Sequence, residues 1–396
     1  MNSVYYYHMT FWKHLARIAE TDPTLDPEVA NRILSFKTMS KTEDPLFWLG
    51  RLLGSLSSVD RTGMLNNFNC DYEAIPAVGD FNKSFGQICL ETAEQYWNEN
   101  ECLEVLWSGG IDSTSVALAL LETKPTNKTL TIVCTQTSID EYPLFYERYK
   151  EYCRVLTSEE FFSIDNINST ATVITGDGGD QVFGANLAVL VDEADFHKKD
   201  LTWHGLFDWP DVFKQQQFRL QSHICDPWTR QEKNQLIELL EQHATACPFP
   251  VRSCFDMSWW LNFSTKMNYV AVRIPVIIVE KFGKDQPVLN LNKRKAFYLN
   301  DDFQRWSMAN HDLKISAEGK SYKQPSKDFI FSITKDADYA LNKQKEPSTP
   351  KLLGDDWFSI WKRDLEANYV ILDDGRIFNS TRDISTTLIE ELFKRD

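Results

Sequence analysis

Two short stretches hold the residue types that chemistry needs. Ser108-Gly109-Gly110-Ile111-Asp112-Ser113 combines a glycine pair, two hydroxyls and a carboxylate. Glycines let a backbone approach an anion closely, and a helix opening at that point offers unpaired N–H donors at its positive end. Ser108 and Ser113 add hydroxyl donors. Asp112 suits an anion site only if a cation bridges the two charges, which Mg²⁺ on a phosphate does. The second stretch, Gly176-Asp177-Gly178-Gly179-Asp180-Gln181-Val182-Phe183-Gly184, sets two carboxylates among three close glycines. Carboxylates on a glycine loop suit a metal ligand and a base. The bland readings are a capped glycine turn for the first stretch and a plain or calcium-like turn for the second. Their presence in one chain favours the chemical reading of both.

The elements around them are of matching type. Leu103–Trp107 is a short apolar strand running into the first loop, and Ser113–Glu122 is a helix leaving it. Phe85, Ile88, Cys89, Thr92, Ala93, Tyr96 and Trp97 recur at helical spacing, so residues 84–98 form an amphipathic helix. A strand at Thr129–Thr135, a helix at Tyr142–Leu156 and a strand at Thr172–Thr175 follow, and an apolar helix opens at Val182. Such alternation implies an α/β fold, a parallel sheet with helices on both faces. Both loops then lie at the carboxyl edge of the strands, where these folds bind ligands. Asp26-Pro27-Glu28 starts a helix earlier in the chain. The segments expected are a helical N-terminal region at 1–83, the α/β core at 84–200 and a mainly helical C-terminal part at 201–396.

With 396 residues the chain has room for two or three domains, and 42% hydrophobic with 25% charged residues is globular composition. A net charge of -15 disfavours a broad nucleic-acid surface. The longest apolar stretch, Val270–Val279, is broken by Arg273 and Pro275 and is too short to span a bilayer, so no membrane partner is expected. The N-terminus lacks the basic start and apolar run of a signal peptide, and the eight cysteines form no C-x-x-C pair. The expected setting is a reducing cytoplasm. His197 and His204 have no third ligand nearby, and Lys293-Arg294-Lys295 reads as a solvated face. Tyr5-Tyr6-Tyr7, Trp259-Trp260 and Trp357–Trp361 read as core or subunit contact, which leaves a homo-oligomer open.

These motifs resemble a known family. The SGGIDS loop is similar to the pyrophosphate loop of the ATP pyrophosphatases, which cleave ATP between the α and β phosphates. The loop TGDGGDQVFG is similar to that of the asparagine synthetase branch. Asn342-Lys343-Gln344-Lys345-Glu346-Pro347-Ser348 resembles the stretch that supplies that branch's pyrophosphate-stabilising lysine. The likeness spans about residues 84–350. It implies an adenine nucleotide alpha hydrolase-like fold, with ATP and Mg²⁺ as cofactors. Leu106, Ser108, Gly109, Gly110, Asp112, Ser113 and Gly176 would bind ATP, and Asp112 and Asp180 would hold the metal. A small-molecule carboxylate would be adenylated with loss of pyrophosphate, Lys345 stabilising the leaving group. Ammonia or an amine would then attack, with Asp177 accepting the proton.

The departures shape the expectation. Asn2 stands where full asparagine synthetases carry the nucleophilic cysteine of a glutaminase domain, so glutamine is not the expected nitrogen donor. Gln181 replaces the usual Glu and Ala185 a frequent Gly, and Thr157–Ala171 is shorter than the matching family segment. Val272-Arg273-Ile274-Pro275 is similar to a substrate-domain stretch, but Ala271 replaces its acidic residue and the aspartate-binding pair is missing. Asparagine as product is therefore not implied. Two rival readings are an adenylating enzyme acting on a nucleotide or tRNA base, and an inactive scaffold member.

Overall fold

The computed structural model describes residues 2–3, 18–37, 60–64, 73–157, 160, 171–184, 230–267, 293–315, 322–343, 369–372 and 377–379. The chain divides into two compact units, one of residues 1–75, 184–284 and 360–396, the other of residues 76–183 and 285–359. In the first unit lie β1 (Asn2–Ser3) and α1 (Pro27–Lys37). The second unit then supplies α2 (Phe85–Glu99), β2 (Cys102–Leu106), α3 (Ile111–Glu122), β3 (Thr129–Thr135), α4 (Gln136–Glu141) and α5 (Pro143–Tyr149). It continues with β4 (Cys153–Leu156), β5 (Thr172–Thr175) and α6 (Gly179–Phe183). The first unit resumes with α7 (Arg230–Ala244) and α8 (Cys254–Leu261). The second unit closes with β6 (Arg294–Ala296), α9 (Asp301–Ala309), α10 (Gln324–Thr334) and α11 (Ala337–Asn342). The last strands, β7 (Tyr369–Leu372) and β8 (Ile377–Asn379), pair antiparallel with each other and, through β7, with β1.

The second unit is the expected α/β fold. Its sheet runs β4-β3-β2-β5-β6 and every pairing is parallel. Leu103, Val105, Leu130, Ile132, Val133 and Ile174 are buried, the nearly continuous apolar run of strands covered on both sides. The α2 helix begins at Ser84, whose hydroxyl accepts from Gln87 N at 3.2 Å. Its buried face turns Phe85, Ile88, Cys89, Ala93 and Trp97 inward at helical spacing. Trp97 donates its indole N–H to the Leu120 carbonyl at 3.0 Å, tying α2 to α3. Around Phe85 the rings of Phe183, Phe303 and Trp306 gather at centroid distances of 5.1, 5.6 and 5.2 Å.

Two expectations are corrected here. Residues 142–156 are not one helix. Pro143 cannot continue α4, because its nitrogen carries no proton and its ring crowds the turn before it, so the chain breaks at Tyr142 and restarts as α5. That helix stops at Tyr149, and Cys153–Leu156 leaves it to satisfy the open edge of β3 as a fourth parallel strand. The second correction is Arg294. Strand β6 docks on β5 with Arg294 opposite Val173, which is itself opposite Glu104, so the three share one face of the sheet. Burial lowers the Arg294 pKa, opposed by the charges of Asp177 and Glu104. Only Lys295 of that basic triplet is exposed.

In the other unit, Asp26 caps α1 as expected, accepting from Glu28 N at 2.8 Å. Trp259, Trp260 and Phe263 are fully buried, and the helix passes from α8 into a π-turn at Asn262–Lys266. His197, His204, Tyr5–Tyr7 and Trp357–Trp361 lie outside the described residues. Among the described residues no helix is long and apolar enough to cross a membrane. Beneath the tryptophans sits a buried pair, His243 Nε2 and Asp60 Oδ1, 3.1 Å apart with both side chains at 0% exposure. Burial would raise the Asp60 pKa, but the bond and charge of His243 and two bonds from Thr62 outweigh it and hold the carboxyl below 3.8. A depressed carboxyl pKa stabilises the fold above its unfolded value, and that stability is lost as pH falls through the folded value. Acid titration of tryptophan fluorescence is expected to show Asp60→Asn losing part of the stability change below about pH 4. An unchanged acid profile would remove the pair from the list of what holds this unit together.

Candidate functional site

The strand order places the two glycine loops side by side. From β2 the chain steps outward to β3 and β4, then crosses back to β5 on the other side of β2. The direction of winding reverses between β2 and β5, and a crevice opens at the carboxyl ends of strands at such a point. Ser108–Ser113 leaves β2 and Gly176–Asp180 leaves β5, so both loops border that point. Leu106 is the last residue of β2, partly buried, opposite Val133.

The first loop is rigid in its own right. Gly109 sits at φ +80°, and a Cβ there would lie 2.5 Å from the Ser138 carbonyl and 2.7 Å from Glu141 Cβ. Ser113 Oγ accepts from Ser108 N at 3.1 Å and lies 3.0 Å from Ser108 Oγ. Gly110 is the N-cap of α3 with no side-chain cap, which leaves the first turn's N–H groups for another acceptor. Two tyrosines brace the loop from behind. Tyr339 donates its hydroxyl to the Gly109 carbonyl at 3.2 Å, and Tyr298 to the Asp112 carbonyl at 3.1 Å. Burial raises the pKa of both phenols, so they remain donors.

The second loop packs against the first. A Cβ on Gly176 would come within 2.9 Å of Ser113 N, and one on Gly179 within 2.5 Å of Asp112 Cγ. The Thr175 hydroxyl donates to Asp177 Oδ2 at 2.7 Å, and the charge of Asp177 acts on Arg294 of β6. Asp177, read as a proton acceptor, thus accepts a hydroxyl bond. Asp112 and Asp180, read as metal ligands, do converge, and a lysine joins them. Lys323 Nζ bonds Asp180 Oδ1 at 2.7 Å and also bonds Asp112 Oδ2. Its side chain is 2% exposed against 21% and 32% for the two aspartates. Burial lowers its pKa, but the two carboxylates outweigh burial and raise it.

Lys323 is the functional residue that sequence reasoning missed. It holds a left-handed backbone, φ 60° and ψ 35°, at the N-cap of α10, a conformation that costs a non-glycine residue roughly 1–3 kcal/mol. Pro325 at the start of that helix was the available signal, since it marks where a chain turns into a helix. Lys327 follows one turn on, 4% exposed; burial lowers its pKa, Asp328 opposing and Lys343 reinforcing. Lys343 itself pairs with Glu141 Oε1 at 2.8 Å, beside Gly109. Lys345 lies outside the described residues.

Two carboxylates alone would be a partial donor set for magnesium. Two carboxylates meet at a site with no group of three His, Cys, Asp or Glu among the described residues. Mg²⁺ is commonly held by one or two carboxylates, with phosphate oxygens completing its shell. Gly179 keeps open the space that the Asp112 carboxylate fills. No protein-family model matches the chain, and no curated protein matches it.

The two glycines separate a backbone constraint from a side-chain one. Gly109→Ala is expected to cost about 2–5 kcal/mol, since it adds positive-φ strain to a clash with backbone. Gly179→Ala meets only the movable end of Asp112, so it should cost about 1 kcal/mol while pushing the carboxylate off Lys323. Urea unfolding of the two variants measures the difference, and equal losses would contradict it.

Proposed function

We propose that the chain is an ATP-dependent amide-forming synthetase that activates a carboxylate by adenylation. The observation carrying this reading is the meeting of Asp112 and Asp180 on one cation between two glycine loops at the switch point of a parallel sheet. An open helix start with serine hydroxyls suits phosphate, and paired carboxylates beside it suit a phosphate-bound divalent ion.

In this reading the β and γ phosphates lie on Ser108, Gly109, Gly110 and Ser113, with Leu106 and Gly176 lining the nucleotide. Asp112 and Asp180 would hold Mg²⁺, which when bound would supply positive charge beside the phosphates. A small-molecule carboxylate attacks the α-phosphorus, forming an acyl-adenylate as the α–β bond breaks. Lys345 stabilises the charge growing on the leaving group. Ammonia or a primary amine then attacks the acyl carbon, AMP leaves, and Asp177 takes the amine proton or orients the amine. The Thr175 hydroxyl already donates to Asp177, which supports an orienting role.

With ATP and a panel of metabolite carboxylates plus ammonium, the expected products are AMP and pyrophosphate. Asp112→Asn should abolish pyrophosphate release and leave the circular dichroism spectrum unchanged. ADP and phosphate from the wild-type chain would overturn adenylation. The two lysines divide by kinetics. Lys345→Ala should lower kcat about a hundredfold or more with little change in ATP affinity, as for a contact made in the transition state. Lys343→Ala removes an ion pair from the buried Glu141 carboxylate and should act on stability, by about 1–3 kcal/mol. A kcat loss confined to Lys343→Ala would shift the leaving-group role to Lys343.

A further inference from the structure

We propose that Lys323 is a built-in counter-cation that keeps a bare divalent ion out of the Asp112–Asp180 pair, so that metal enters only together with a phosphate-bearing nucleotide. This rests on the nucleotide reading above and adds an order of loading to it.

The argument begins with occupancy. The Lys323 ammonium bonds both carboxylates, including the Asp112 oxygen Oδ2 and the Asp180 oxygen Oδ1. A divalent ion sharing those oxygens would sit within a few ångströms of a fixed positive charge, and like charges at that range repel strongly in a partly desolvated site. The ammonium has little freedom to withdraw. It is 2% exposed, and its backbone is committed to the start of α10, where its carbonyl accepts from Ser326 N and Lys327 N, both at 3.1 Å. Helix α10 is in turn bonded to α3 through Ser115 and Ser326, whose hydroxyl oxygens are 2.6 Å apart. A departing ammonium needs another anion within reach. The phosphates of a nucleotide on the adjacent Ser108–Ser113 loop are such an anion, and they also bring the oxygen ligands that two carboxylates lack.

The sharing also explains the backbone. A glycine at the N-cap of α10 would avoid the left-handed strain, yet the chain places a lysine there. The strain positions an ammonium where two loops present carboxylates. Without it, the pair would be two like charges held together by the fold, a ready site for any free divalent ion.

The test uses the full chain and Mn²⁺, with free ion counted by electron paramagnetic resonance. Wild type without nucleotide is expected to bind no Mn²⁺ at Asp180, and wild type with α,β-methylene-ATP is expected to bind one. Lys323→Met without nucleotide should bind Mn²⁺ about a hundredfold more tightly than wild type, and Lys323→Arg, which keeps the charge, should not. Adding Asp180→Asn to Lys323→Met should abolish that binding. Mn²⁺ should also raise the melting temperature of Lys323→Met and leave that of wild type unchanged, a readout that serves even where the variant is weakened. Nucleotide-free wild type binding Mn²⁺ in an Asp180-dependent way would overturn the proposal, as would Lys323→Met that binds none. If Lys323→Met binds the ion but wild type binds none even with nucleotide, the counter-cation role stands and the nucleotide reading fails.

Discussion

One ammonium group holds two loops that the sheet delivers from separate strands. Asp112 follows β2 and Asp180 follows β5, and each carries a negative charge toward the same crevice. Without an opposing charge, close approach of the two loops would be resisted by electrostatics and by the desolvation of both carboxylates. Lys323 supplies that charge from a segment more than a hundred residues further along the chain. The glycines permit the close contacts, Gly176 on Ser113 and Gly179 on Asp112, that bring these charges together.

The rest of the unit can be understood as what keeps that ammonium in place. Helix α10 packs against α3 and α2, and Phe329 fills the space beside Gly86, which has no side chain of its own there. Helix α11 follows and brings Tyr339 to the Gly109 carbonyl, with Tyr142 stacked on it at a centroid distance of 3.9 Å. The Lys343–Glu141 pair closes the same side. The Ser108–Ser113 loop is therefore fastened on one face by the C-terminal helices and on the other by its own sheet. In an acidic chain of net charge -15, Lys323 and Lys343 are nearly buried here, each matched by carboxylates of this unit.

Sequence alone determined most of the local elements and the place of the two glycine loops at the strand ends. Short-range physics suffices for these: helical spacing in Phe85–Trp97, β-rich apolar runs at Leu103–Leu106 and Thr129–Thr135, and glycines beside carboxylates at the strand ends. The parallel sheet followed from the alternation of those elements. Where a reading failed, the deciding force was not local. The segment Cys153–Leu156 carries a helix-like pattern, yet it became a strand because the edge of β3 offered it hydrogen bonds. Arg294 sits in a basic, polar triplet, yet a position opposite Val173 placed it on the face with Glu104 and near Asp177.

Tertiary structure alone decided that Lys323 joins Asp112 and Asp180. Nothing in its spacing from them announces that they meet, since helix docking sets that distance and is not encoded within a window of a few residues. The same holds for Tyr298 and Tyr339, whose hydroxyls the fold sets on the loop carbonyls. A motif states what a residue can do. Long-range burial and the balance of buried charge settle what it does it to, because a charge removed from water has to find its partner wherever the fold can bring one.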